Sequence, residues 1–176
     1  MHVGRVGRSE NRANARGALI SSLIIREAEK ADIPAMARIR AQTWGSEEYW
    51  NARIAAYLDG QLHPKHSLTP RVGYVAADGE SLVGLVAGHL TQRFGCDGEL
   101  EWIDVIPERR GSGAAAELLR RLAKWFVEHK AFRICVDVQP TNTTARRFYV
   151  RHGAEPLNPH WLFWKDIQVV LGKTKS

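Results

Sequence analysis

Ile106-Pro107-Glu108-Arg109-Arg110-Gly111-Ser112-Gly113-Ala114-Ala115 joins two unlike patterns. Before it, Trp102 to Ile106 is apolar and rich in β-branched residues, as a buried strand requires. After it, Ala114 to Lys130 places Ala115, Leu118, Leu119, Leu122, Trp125 and Phe126 on one stripe of a helix. Two glycines and a serine therefore stand where a strand turns into a helix. The first N–H groups of a helix have no internal partner and sit at the positive end of its dipole. Such a turn suits a phosphate, and Gly111 and Gly113 carry no side chain to hold a ligand away. Taken alone, it equally describes a flexible connector.

A second pattern downstream separates these readings. Arg110-x-x-Gly113-x-Ala115 is followed by Asn142-x-x-Ala145, then Phe148-Tyr149, then His152-Gly153. This order resembles the GCN5-related N-acetyltransferase (GNAT) superfamily. That family holds the pyrophosphate of acetyl-CoA with a Gln/Arg-x-x-Gly-x-Gly/Ala turn, and an Asn-x-x-Ala-x-x-(Phe/Leu)-Tyr helix follows on the next strand-helix unit. The resemblance spans roughly residues 24–170. A Walker Gly-Lys-Ser/Thr sequence is missing, and the Gly-x-Gly-x-x-Gly dinucleotide pattern does not fit.

Composition sets the outer bounds. The 176 residues suffice for one domain with a real core, expected over residues 23–172. There is no apolar run of membrane-spanning length, so no membrane partner is expected. Two cysteines make no disulfide framework and point to a reducing cytoplasm; Cys135 reads as core and Cys96 as part of a turn. The net charge is +6. In residues 1–22, Arg5, Arg8, Arg12 and Arg16 stand against Glu10, which accounts for +3 of it. This segment reads as a disordered basic tail. A solvated surface explains the remaining excess, and nucleic acid is not expected as a partner.

Along the chain, Leu23 to Glu27 reads as a strand. Asp32 reads as an N-cap with Pro34 just inside a helix that runs to about Trp44. A second helix ends at Leu58, before Asp59-Gly60, and Gln61 to Pro70 reads as loop. Asp78-Gly79 predicts a hairpin between Arg71–Ala77 and Ser81–Gln92. Strict alternation over Glu99–Ile106 puts Leu100, Trp102, Asp104 and Ile106 on one face, and Glu99, Glu101, Ile103 and Val105 on the other. Ile134 to Val138 is a strand, Asn142 to His152 a helix stopped by Gly153, and Trp161 to Val170 one or two strands. This order matches the resemblance, which implies an α+β fold: a mixed, mainly antiparallel sheet, splayed between its fourth and fifth strands and flanked by helices.

The resemblance also implies a site. The pantetheine arm of acetyl-CoA enters the splay and pairs with the backbone of Ile103 and Val105, as a peptide pairs with a sheet edge. The pyrophosphate sits on the N–H groups of Gly111, Ser112, Gly113, Ala114 and Ala115, with Arg110 alongside. Asn142 contacts the cofactor, and by its own chemistry it also reads as a helix N-cap. Acetyl transfer to an amine needs a base, a stabilised oxyanion and an acid for the departing thiolate. Tyr149 is the candidate acid; the plainer reading is a core aromatic beside Phe148. Glu99 and Glu101 are the candidate bases, and equally a pair of solvent-facing glutamates. A backbone N–H near Val105 would polarise the carbonyl.

The expected reaction is direct attack by a primary amine in a ternary complex. The alternative is a non-catalytic module that senses acyl-CoA. Trp44-Gly45-Ser46-Glu47-Glu48-Tyr49-Trp50 reads either as a cationic-amine pocket or as core tryptophans beside a helix N-terminus that favours acids. No metal is expected: His63 and His66 lie in a Pro-containing loop, and His89, His129, His152 and His160 form no ligand pattern. The acceptor's identity is open, and so is the oligomeric state, a homodimer included.

Overall fold

The computed structural model describes residues 23–172. The basic tail read in residues 1–22 lies outside them. The described strands are β1 Leu23–Glu27, β2 Ser67–Asp78, β3 Ser81–Thr91, β4 Gly98–Val105, β5 Ile134–Asp137, β6 Glu155–Asn158 and β7 Trp161–Trp164. The helices are α1 Ile33–Ala41, α2 Glu47–Leu58, α3 Ala114–Glu128, α4 Thr143–Arg151 and α5 Gln168–Leu171. One seven-stranded sheet runs β1-β2-β3-β4-β5-β7-β6. Every neighbouring pair is antiparallel except β4 and β5, which run parallel. This is the mixed α+β architecture expected.

Helices cover both faces. On one side α3 buries Leu118, Leu119, Leu122 and Phe126 against Val86, Leu100, Ile134, Val136, Leu162 and Trp164. Each such leucine contributes about 1.5–3 kcal/mol by leaving water. On the other side α1 and α2 pack Met36, Trp50, Ile54 and Tyr57 against Val75, Leu85, Ala87 and Trp102. Cys96 and Cys135 are free, buried thiols packed with Phe163.

Some boundaries differ from expectation. Helix α1 ends at Ala41 rather than near Trp44. Asp32 does not cap it: its carboxylate turns back to accept from the Glu29 N–H at 2.8 Å and from Arg26 at 2.7 and 2.8 Å. Strand β2 begins at Ser67, inside the stretch read as loop, because Ser67 pairs with Thr91 across a register shift.

The largest difference lies in β4. Ala87 pairs with Trp102 but Gly88 pairs with Leu100, so Glu101 has no partner on β3 and forms a β-bulge. The bulge reverses the alternation. Leu100 joins the α3-side core while Trp102 joins the α1/α2-side core. Ile103 and Val105 return to the α3 side. The predicted shared face of Leu100 and Trp102 is therefore wrong, because alternation holds only while pairing is regular.

Strand β4 pairs with β5 only over Gly98–Ile134, Glu99–Cys135 and Leu100–Val136. A Cβ at Gly98 would lie 2.4 Å from the Phe126 ring and 2.8 Å from Ile134 Cδ1. Gly98→Ala is expected to destabilise the protein by about 1–3 kcal/mol through overpacking, measured by urea unfolding. An unchanged midpoint would show that Phe126 moves aside freely.

Candidate functional site

The turn before α3 has the geometry its glycines suggest. Gly111 has φ +76° and Gly113, at the N-cap of α3, φ +90°, and a Cβ at either would meet nothing within 4 Å. The glycines thus serve backbone conformation and leave open space above the turn. Among the described residues, the N–H groups of Gly111, Gly113, Ala115 and Ala116 donate to no protein acceptor. Ser112 is turned inward: its hydroxyl donates to the Arg109 carbonyl at 2.5 Å, and the Ala114 N–H lies 3.4 Å from its oxygen. The turn is tied to the rest of the protein by Arg109, which is ion-paired with Asp78 at the end of β2. Arg110 is exposed and forms no ion pair among the described residues.

From Glu101 onward, β4 has no partner on the side of β5, so Ile103 and Val105 border an opening in the sheet. Tyr149 of α4 lies in the same core cluster as Leu100, Val136, Val138 and Trp164. Its ring meets Trp164 edge-on at 5.8 Å. The hydroxyl has no hydrogen-bond partner among the described residues. Burial first, then the nearby negative charge of Asp104, raises the Tyr149 pKa above the ordinary tyrosine value, while Arg40 opposes the shift. Tyr149 is thus a core aromatic whose phenol holds its proton. Asn142 begins α4, with its side-chain oxygen accepting from the Ala145 N–H at 3.1 Å.

The two glutamates differ sharply, and neither is a simple solvent-facing group. Glu99 is 3% exposed. One of its oxygens lies 2.7 Å from His89 Nε2 and the other 3.0 Å from Arg93 Nε. Glu101, at the bulge, is less enclosed, and its nearest partner is His89 Nδ1 at 3.9 Å. Its pKa is raised above the ordinary glutamate value, first by burial and then by the charge of Glu99; His89, Arg53 and Arg40 oppose this. His89 was not connected to these acids by sequence spacing. Strand pairing sets it opposite Glu99. Ligand atoms of His89, Glu99 and Glu101 lie within 4.8 Å of one another. Arg93 engages Glu99, however, and the Tyr57 hydroxyl sits 2.9 Å from His89 Nδ1. The cluster thus gathers buried ionisable groups at ion-pair distances, joined by the hydrogen bond between Tyr57 and His89.

Arg40 of α1 also escaped the sequence reading. It contacts the Asp104 carboxylate at 2.5 Å and stacks over Trp50 at 4.3 Å. Burial raises the Asp104 pKa in spite of Arg40, and Arg110 lies close enough to oppose that shift as well. An alternation of arginine and aromatic residues so far apart in sequence gives no local signal.

The Trp44–Trp50 segment divides. Ser46 caps α2 by accepting from the Tyr49 N–H at 3.0 Å, and Glu47 and Glu48 occupy the first turn, where acids are favoured. Trp50 is core, whereas Trp44 and Tyr49 are exposed. An open groove of about 520 Å³ runs along α2, bordered by Glu48, Tyr49 and Arg53.

A model of the acetyltransferase (GNAT) family matches residues 33–154. Solved structures share the fold at low identity. The PaiA N-acetyltransferase from Thermoplasma acidophilum, in complex with coenzyme A, is 18% identical with a TM-score of 0.61; the match covers 82% of this chain and 99% of that one. A chimera of the Vibrio cholerae spermidine N-acetyltransferase SpeG with hSSAT is 17% identical with a TM-score of 0.60, covering 86% and 99%. A transcriptional regulator from Bacillus halodurans is 20% identical with a TM-score of 0.62, covering 77% and 95%. No curated protein matches the chain at a significant level.

The open turn predicts where a charge would be felt. Gly113→Glu and Gly113→Ala impose the same backbone strain, but only the first adds a carboxylate. Calorimetry with acetyl-CoA is expected to show binding at least about tenfold weaker in Gly113→Glu than in Gly113→Ala. Equal affinities would remove the turn from the binding site.

Proposed function

The chain belongs to the GNAT family of acetyltransferases, and from that premise we propose that it moves an acetyl group from acetyl-CoA to a primary amine by direct attack in a ternary complex. The observation that carries this reading is the edge of β4, which beyond Leu100 has no partner on β5 and whose Ile103 and Val105 pack against the core cluster that contains Tyr149, while the open turn at Gly111–Ala115 follows that strand in the chain.

The residues fit such a co-substrate. The open space over Gly111 and Gly113 and the donors of Gly111, Gly113 and Ala115 suit a pyrophosphate, with Ser112 and Ala114 shaping the turn and Arg110 adding positive charge. The backbone of Ile103 and Val105 would pair with the pantetheine arm, and Asn142 would flank it from α4. Acetyl-CoA supplies an activated thioester: the amine nitrogen forms the new C–N bond, and the C–S bond breaks with its electron pair going to sulfur.

The chain's own groups manage the protons and the charge. We assign the base to Glu101 rather than Glu99. Both Glu99 oxygens are engaged by His89 and Arg93, whereas Glu101 keeps an uncommitted carboxylate at the bulge. A base serves best when its pKa is moved toward the working pH, and burial moves Glu101 that way. Tyr149 gives its proton to sulfur. A thiol has a pKa of about 8.5, so a tyrosine held above its ordinary value is a weaker acid but remains fully protonated and ready to donate. A backbone N–H near Val105 polarises the carbonyl oxygen.

Once an amine acceptor is found by screening, Glu101→Gln is expected to lower kcat by about 100-fold, and Tyr149→Phe by about 10- to 100-fold, with acetyl-CoA affinity kept. A base acts only when ionised. Wild-type activity should therefore fall as pH drops through a value above the ordinary glutamate range, and Glu101→Gln should lack that acid limb. Full activity in both variants would overturn the assignment. A wild type that binds acetyl-CoA and turns over no amine would favour the sensor reading instead.

A further inference from the structure

We propose that Cys96 and Cys135 are a peroxide-sensitive pair that closes into a reversible disulfide within the chain, tying the turn before β4 to β5. Both are free thiols, and both are buried, Cys96 at 4% exposure and Cys135 at 0%. With Phe163 they form a small core cluster apart from the two cores under the helices. The two sulfurs are within hydrogen-bonding reach, with the Cys135 thiol as donor and the Cys96 sulfur as acceptor.

Backbone contacts hold both residues in place. Cys135 pairs with Glu99, and Ile134 with Gly98. Just upstream, the Asp97 and Gly98 N–H groups donate to the Arg133 carbonyl at 2.7 and 3.2 Å. The Asp97 carboxylate accepts from the Phe132 and Arg133 N–H groups, each at 3.0 Å. Asp97 and Arg133 thus clasp the entry of β4 to the entry of β5. Cys96 precedes the clasp on one side, and Cys135 lies two residues beyond it on the other. Side-chain direction agrees. Ile134 and Val136 point into the α3-side core, so Cys135 between them points to the opposite face, where Cys96 meets it.

The two thiols are chemically unequal. The Cys96 pKa is lowered to about 7, first by the hydrogen bond from Cys135; burial opposes the shift, and Arg133 adds to it. Arg133 is itself held over the Phe163 ring at 4.4 Å. The Cys135 pKa is pushed up, first by its hydrogen bond to Cys96 and then by burial. Thiolates, not thiols, react with peroxide. Cys96 therefore reacts first and Cys135 resolves. The Cys96 thiolate attacks one oxygen of hydrogen peroxide: an S–O bond forms, the O–O bond breaks, and the hydroxide released takes a proton and leaves as water. The Cys135 sulfur then attacks the Cys96 sulfenic acid: the S–S bond forms, the S–O bond breaks, and the Cys135 proton leaves with the hydroxide as a second water. The thiols lose two electrons, and peroxide gains them. The pair takes no part in acetyl transfer, so a chain that transfers no acetyl group would still form the bond.

The test is a tryptic map of the native full chain, treated with a small excess of hydrogen peroxide, quenched with catalase, then unfolded and alkylated with N-ethylmaleimide. Peptides 94–109 and 134–146, which carry the two cysteines, are expected to be joined and lighter by two hydrogens than their reduced sum. The chain should run as a monomer on a non-reducing gel, and dithiothreitol should separate the peptides. Cys135→Ser is expected to stop at the Cys96 sulfenic acid, trapped by dimedone, and Cys96→Ser to leave Cys135 alkylated at the same dose. In urea the link is expected to form at least about tenfold more slowly, because the fold no longer holds the sulfurs together. Two alkylated peptides after peroxide, an over-oxidised Cys96 beside an alkylated Cys135, a link found only between chains, or an equal rate in urea would each overturn the proposal. If a serine variant does not fold, the wild-type map and its urea control decide it.

Discussion

One unpaired residue in the fourth strand organises the site. Glu101 interrupts the β3–β4 ladder, and every side chain after it exchanges sides. Without that bulge, Trp102 and Asp104 would point at α3, and Ile103 and Val105 would face α1 and α2. With it, Trp102 completes the aromatic wall under Trp50 and Tyr57, and Asp104 meets Arg40. Beyond the same point β4 also loses its pairing with β5. The extra residue bends and twists its strand. That bend leaves a backbone edge open inside an otherwise closed sheet, and edges of this kind bind extended ligands through main-chain groups.

The opening lies where two cores of different chemistry meet. The α3 side is aliphatic and aromatic, and it presses the Tyr149 ring against Trp164. The α1/α2 side carries buried charge: Arg40 with Asp104, and the Tyr57–His89–Glu99–Arg93 chain. Pairing satisfies most of these charges, which is what makes their burial tolerable. Glu101, 3.9 Å from His89, and the Tyr149 hydroxyl make no hydrogen bond among the described residues.

Much of this was legible along the chain. Local rules suffice wherever a residue's role depends on its near neighbours. The α3 stripe was readable because apolar spacing follows the helical period, and the phosphate-type turn because glycines preceded it. Asn142 was readable as a cap because capping is a contact three residues long. Tyr149 was singled out by its place in a motif, which gave no sign of the Asp104 charge that acts on it. The faces of β4 were misread, because a bulge leaves no mark in the pattern of a strand with glutamates and apolar residues on both sides.

The sequence by itself determined the family, the glycine turn before α3 and the element order up to α4, since these follow from short-range periodicity, backbone conformation and motif spacing; strand β6 was not read, and Gln168–Leu171, read as strand, is helix. Only the tertiary structure decided which glutamate is tied and which is spared. His89 reaches Glu99 through strand register, Arg40 reaches Asp104 from a helix more than sixty residues away, and Tyr57 reaches His89 from another. Charge interactions depend on distance and burial in space, and neither quantity is written in the spacing of residues along the chain.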